Sequence, residues 1–315
     1  MPSLEPHSPI IEPDSGNREF LSDASLLFIA IIWGSTFIIV KQAIADIPAF
    51  AFLTLRFALA FSVLILICFR RLKHLNLRML LDGGLLGGAL FLAFSTQTLG
   101  LQYAPASVVA FVTGLYVVFV PIFSSLFIKK FPTPYSIAGV LLSGVGLGLI
   151  TLNGTVGLSR GEMFALLSAL FCSIHIILTD IFSRKHDTYL LTTIQIGTTF
   201  LLSGMVSAMH DPFTLPRTWH PQLVTAIALT GILATVVGFF VQTGMQRFTT
   251  PTKAAIIFCM EPVSSIFFGY FIGGELLAAR QYLGAALIVG AMLTAEIGSY
   301  YRIKSQTLCY GNPGG

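Results

Sequence analysis

Lys41, Arg56, His175 and Glu261 are ionisable side chains set within long apolar runs, or near their ends, in this 315-residue chain. An unpaired ion in hydrocarbon costs about 3 kcal/mol on insertion scales and more in simulations, so each of them needs a reason. Arg56 could pair inside a helix bundle, cap backbone carbonyls or hold an anionic group. Glu261 could titrate, pair with Arg56 or Lys41, or bind an amine. Pro262 follows it and removes a backbone donor, which frees a carbonyl one turn back. His175 could carry a proton, because imidazole titrates near neutral pH, or touch a substrate, or simply pack. Glu261 and His175 are therefore the proton-coupling candidates. Lys41 reaches the interface by snorkelling, and Asp180 is also interfacial.

Neutral polar and aromatic residues at other depths of the same runs complete a candidate substrate-binding wall: Trp33, Thr36, Phe94, Gln97, Thr113, Tyr116, Gln195, Gln242 and Phe258, beside Arg56, His175 and Glu261. Gln97 and Gln242 are costly against lipid and should face inward. The patterns that would do covalent chemistry are missing. No histidine is followed by glutamate, so there is no His-Glu-x-x-His metal pair on a helix. Asp82, Asp180, Asp187 and Asp211 stand apart rather than in a magnesium-binding cluster. No Gly-x-Ser-Gly and no Walker-type phosphate loop occurs. Cys68, Cys172, Cys259 and Cys309 show no Cys-x-x-Cys spacing, and three of them lie in apolar runs, which is packing chemistry. No catalytic residue, metal or cofactor is expected. An intramembrane enzyme and a non-transporting scaffold are the readings from other classes.

These residues are carried by a chain that is 55% hydrophobic and 10% charged, with a mean hydropathy of +0.83. A soluble domain carries about 25% charged residues. So few charges cannot cover a water-soluble body, which excludes a cytosolic enzyme, a nucleic-acid binder and a disordered protein. The net charge of +4 sits at the ends of apolar segments and is no nucleic-acid signal. A membrane-crossing helix needs about 20 apolar residues. Ten segments qualify: 24–44, 48–69, 79–100, 105–128, 134–152, 161–183, 188–209, 220–246, 251–273 and 279–300. Charged or turn-forming residues punctuate them, among them Arg70-Arg71-Leu72-Lys73, Lys129-Lys130-Phe131-Pro132, Asn153-Gly154 and Asp211-Pro212. Residues 1–22, acidic and proline-bearing, are expected as a disordered tail, and 301–315 as a C-terminal tail. The expected fold is all-α and integral to the membrane.

With the N-terminus cytoplasmic, 13 Lys and Arg fall on the inner side and 4 on the outer, so both termini are expected inside, in the inner membrane of the cell. Landmarks recur at a nearly constant offset. Gly87, Gly100 and Gln102 match Gly231, Gly244 and Gln246 at 144, and Ser107 and Phe123 match Thr252 and Phe268 at 145. Tyr116 and Glu261 correspond at 145, and Arg56 and Gln195 at 139. Two five-helix repeats, 24–152 and 161–300, follow. Five being odd, the second enters the membrane from the opposite side, and inverted repeats enclose a midplane site that can open to either side. In each of those two pairs one member is charged and the other neutral. A lopsided cavity follows, anion-friendly near Arg56 and cation-friendly near Glu261. Overlapping Gly-x-x-x-Gly pairs at Gly83, Gly84, Gly87 and Gly88, and another at Gly144 and Gly148, predict close helix packing.

Trp33-Gly34-Ser35-Thr36-Phe37 with Lys41, Leu55-Arg56-Phe57, Tyr103-Ala104-Pro105-Ala106-Ser107 and the run from Ala255 to Val263 resemble, in that order, the signatures of the EamA-type members of the drug/metabolite transporter superfamily. The resemblance covers about 24–300. It implies two five-helix repeats around a central cavity, and export or exchange of small metabolites or amino acids. His175 departs from that pattern. The expected activity is secondary transport of amino acids or related zwitterions, the alternative being exchange of a nucleoside-type cofactor such as S-adenosylmethionine. The expected partners are a small-molecule substrate and the lipid bilayer, with a homodimer open.

Overall fold

The computed structural model describes residues 15–127, 134–151, 159–210 and 219–276, with scattered positions between 278 and 294. Among the described residues all regular structure is helical. Eight helices are long and apolar enough to cross a membrane: Arg18–Ala43, Ala49–His74, Leu77–Tyr103, Ala106–Leu126, Arg160–Ser183, Thr188–His210, Pro221–Phe248 and Pro251–Gly273. They coincide with eight of the ten expected spans. The fifth and tenth contain the shorter apolar stretches Ile137–Gly146 and Tyr282–Ala291. The expected segments at Lys129–Pro132, Asn153-Gly154 and Asp211-Pro212, the C-terminal tail and much of 279–300 lie outside the described residues.

The elements in chain order are α1 (Ser15–Ala43), α2 (Ala49–Cys68, extended by a 3-10 turn to His74), α3 (Leu77–Tyr103), α4 (Ala106–Thr113), α5 (Tyr116–Phe127), α6 (Pro134–Thr151), α7 (Arg160–Ser183), α8 (Thr188–His210) and α9 (Pro221–Ala228). A π-helical segment, Leu229–Val237, then leads into α10 (Gly238–Met245), followed by α11 (Pro251–Phe258) and α12 (Met260–Gly273). Local chemistry sets several starts. Asn76 accepts from the Met79 amide at the head of α3, Thr250 from the Lys253 amide at the head of α11, and Ser159 with Glu162 forms a capping box on α7.

Helix α1 corrects the expected tail. It begins at Ser15, and Ser22 and Asp23 are buried. The cause is a charge cluster: Lys253 Nζ lies 2.8 Å from Glu19 Oε1 and 2.6 Å from Asp23 Oδ2. Read locally, the acidic turn looks like something that must stay in water. In the fold it neutralises a buried lysine brought up from the far end of the sequence.

Two membrane helices are broken at matching places. Cys259 separates α11 from α12, and Gly114-Leu115 separates α4 from α5. Pro262 has no amide to give the carbonyl of Phe258, which is where α11 ends. Gly114 and Cys259 are themselves 145 apart. The turns before these helices are held alike. Lys41 Nζ donates to the Ala104 carbonyl at 2.5 Å, and Arg184 donates to the Thr249 carbonyl at 3.0 Å.

In the interior, α3 packs on α7 and α8, α2 on α8 and the π-helical segment, and α1 on α12. Only one of the overlapping glycine pairs in α3 serves close packing. A Cβ at Gly87 would stand 2.6 Å from the Gln195 carbonyl of α8, and one at Gly83 2.7 Å from Ile194, whereas Gly84 and Gly88 have open space. Gly144 is no close crossing either, its nearest neighbour being Val118 at 3.9 Å.

Candidate functional site

A cavity opens where α1, α3, α5, α7, α10, α11 and α12 converge. Its volume is about 60 Å³. That is room for a few waters at roughly 10–15 Å³ each, so a metabolite would have to part the walls. Of the expected wall residues, Trp33, Thr36, Phe94, Gln97, Tyr116, His175, Gln242, Phe258 and Glu261 line it. Tyr116 opens α5 and Glu261 lies in the first turn of α12, so the two helix breaks deliver both side chains to the same space. Phe37, Leu90, Ala93, Cys172, Ile176 and Phe239 also line the cavity and were not among the expected residues. Helical spacing would have found them. Ala93 precedes Gln97 by four residues, Cys172 precedes His175 by three, and Phe239 precedes Gln242 by three, so each pair shares a helix face.

Arg56, Thr113 and Gln195 do not line the cavity. Thr113 closes α4 and is buried, with no hydrogen-bond partner for its hydroxyl. Gln195 stands behind His175. The His175 Nε2 to Gln195 Oε1 distance is 2.9 Å, and Gln195 Nε2 donates to Thr243 Oγ1 at 3.0 Å. In this arrangement His175 donates through Nε2. Arg56 is 1% exposed and donates from Nε to Thr235 Oγ1 at 2.9 Å. Its guanidinium lies 4.6 Å from the centroid of Phe94 and 5.4 Å from that of Phe57. No anion-friendly region of the cavity is built by Arg56, because the ring of Phe94 takes the lining position. The suggested pairing of Arg56 with Glu261 is likewise absent.

The wall is an aromatic box with a few polar groups. Trp33 lies 5.1 Å from Phe239 and 5.4 Å from Phe258, and Phe239 lies 5.9 Å from Phe94 and 5.8 Å from the His175 ring. Close backbone contacts hold the box. A Cβ at Gly34 would come 2.4 Å from the Glu261 carbonyl, and one at Gly238 would come 2.6 Å from Trp33 Nε1. Gln242 Nε2 donates to Gln246 Oε1, and Gln246 Nε2 to the Ile176 carbonyl, while Gln242 Oε1 has no hydrogen-bond partner within the protein and the Tyr116 hydroxyl lies beside the Glu261 carboxyl. Among the described residues Glu261 makes no ion pair.

An all-helical body of membrane-crossing segments around an interior cavity with a polar patch is the build of a membrane transporter. The EamA-like transporter family matches residues 21–152 and 159–295, and the chain belongs to that family. It is 33% identical over 286 residues to an uncharacterized transporter of Archaeoglobus fulgidus, covering 90% of this chain and 88% of that one. It is 24% identical to the uncharacterized transporter YoaV of Bacillus subtilis, covering 84% and 92%. The uncharacterized inner membrane transporter YedA of Escherichia coli is 26% identical, covering 88% and 90%. A solved crystal structure with 20% identity superposes with a TM-score of 0.71 over 88% of this chain and 97% of its own, which shows a shared fold.

Proposed function

We propose that this multi-pass membrane transporter is a secondary exchanger whose solute carries a protonated amine on an apolar or aromatic body. The observation that carries the reading is Glu261, a buried carboxylate without an ion-pair partner in an aromatic box. A carboxylate at that depth needs a positive charge, and leaving one unpaired costs several kcal/mol. A solute amine or a proton can supply it, but not both at once, and that competition makes an exchanger. Trp33, Phe94, Phe239 and Phe258 would pack the apolar body, their ring faces also favouring a cation. Amino acids fall within this class through their amine. Their carboxylate would meet only neutral groups such as Gln97 and Gln242.

The two halves are read as inverted repeats. The paired breaks at Gly114 and Cys259, the paired clamps on Ala104 and Thr249, and the two stretches matched by the family support this. Rocking of one half against the other would open the small cavity to each side in turn. We read both termini as cytoplasmic, which the basic-residue count supports, and the membrane as the inner one.

Proteoliposome counterflow with a matched series tests the reading: phenethylamine, phenylalanine and phenylpropionate share one aromatic body. The expected order of exchange is phenethylamine first, phenylalanine second and phenylpropionate not above protein-free liposomes. Exchange of phenylpropionate alone would overturn it.

A further inference from the structure

We propose that Arg56 is a positioning residue: it holds the π-helical segment Leu229–Val237 and the back of Phe94, and through them sets where Trp33 and Phe239 stand in the cavity wall. This deepens the reading of the cavity as the transport site.

A π-helical turn has longer-range hydrogen bonds than an α-helix and persists where surrounding contacts favour it. Here three contacts meet it from outside its own helix or along its axis. The Trp33 indole N–H donates to the Ala234 carbonyl at 2.7 Å. The Thr235 hydroxyl donates to the carbonyl of Thr230, five residues back, at 2.7 Å. The same hydroxyl accepts from Arg56 Nε at 2.9 Å. A threonine hydroxyl has one proton to give, and this one gives it along the π register while its oxygen takes the arginine. Arg56 thus orients Thr235, Thr235 ties the widened turn, and the turn presents the carbonyl that fixes Trp33. Phe239 follows two residues after the segment, on α10.

The other hold is direct. The guanidinium rests against Phe94, whose ring lines the cavity 5.9 Å from Phe239. Arg56 Nη2 has no hydrogen-bond partner, so aromatic faces and the single Thr235 hydroxyl keep the cation in place. An arginine binding a solute anion would line the cavity, whereas Arg56 is absent from the lining and its guanidinium carbon stands over the ring of Phe94, which is part of it.

Trp33 and Trp219 are the two tryptophans of the chain, so Trp219→Phe leaves Trp33 as sole emitter. Its emission maximum and acrylamide quenching are then measured in detergent, without any solute, for Thr235→Val, Thr235→Ser and Arg56→Lys. Circular dichroism and a single size-exclusion peak establish that each variant is folded; should Arg56→Lys not fold, the two Thr235 variants decide. Thr235→Val keeps the shape and loses the hydroxyl, and it is expected to shift the emission and raise quenching about twofold, as is Arg56→Lys; Thr235→Ser should match the parent. In phenethylamine counterflow, KM should rise ~5-fold in the two perturbed variants with the maximal rate within about twofold, the pattern of lost ground-state positioning. Unchanged emission and quenching in folded Thr235→Val overturns the proposal, as does a change confined to Arg56→Lys. If Trp33 responds as expected while the parent does not exchange phenethylamine, the positioning role stands and the amine reading falls.

Discussion

Glu261 is the residue on which the chemistry turns. Glu261→Gln removes the buried charge and keeps the shape, so phenethylamine affinity should fall at least tenfold, about 1.4 kcal/mol, while the thermal midpoint in detergent stays level or rises. A midpoint that drops with no loss of affinity would make the carboxylate a structural element. Protons compete for the same oxygens, so wild-type affinity should fall as pH falls and the dependence should vanish in Glu261→Gln. His175 is already engaged through Nε2 with Gln195, and His175→Asn is expected to keep the wild-type pH profile. Uptake measured against pH for the two variants separates the roles. At this scale residue type alone singled out Glu261, His175, Gln97 and Gln242, because polar groups in apolar runs are conspicuous. The same logic brought in Arg56 and Gln195, which stand one layer behind the wall. A single sequence shows that a buried charge exists but not which side of a neighbouring ring it lies on.

The helices were legible from apolar run length, and their starts follow from Asn76, Ser159 and Thr250. Their junctions were less so. The break before Glu261 was foreshadowed by Pro262, whereas nothing local announces the π-helical segment, whose reason lies in Trp33 and Arg56 some two hundred residues away. Close approach was readable only in part, since Gly34 resembles any glycine in a helix until Glu261 and Ser264 are placed against it. Gly34→Ala should destabilise by about 1–3 kcal/mol, because the atom in the way is backbone and cannot rotate aside; a thermal shift assay reads this, and an unchanged midpoint would show that α1 and α12 separate easily. The cluster joining α1 to α11 makes a sharper case. Lys253→Met leaves Asp23 and Glu19 without their buried cation and should cost about 3–5 kcal/mol. Adding Asp23→Asn should recover part of that loss, and a double variant no better than the single one would show that the pair is not coupled.

The molecule as a whole has an orientation to test. Reporter fusions after Lys130 and Lys185 should read cytoplasmic and one after Gly154 external; an external reading at Lys130 would reverse the arrangement and place the Lys253 cluster outside. Composition and run length by themselves determined that this is an integral membrane protein, that it is helical, that it spans the bilayer many times and which polar residues it carries into the membrane. They could do so because the cost of an exposed backbone or charge in hydrocarbon acts on each segment separately. Only the tertiary structure decided which polar residues meet. It put Tyr116 beside the space that holds Glu261, moved Arg56 behind Phe94, drew Glu19 and Asp23 into the body and gave Trp33 a carbonyl from a π-helical turn. Those outcomes depend on distances between segments far apart in the chain, and packing sets these through close contacts that no single segment encodes.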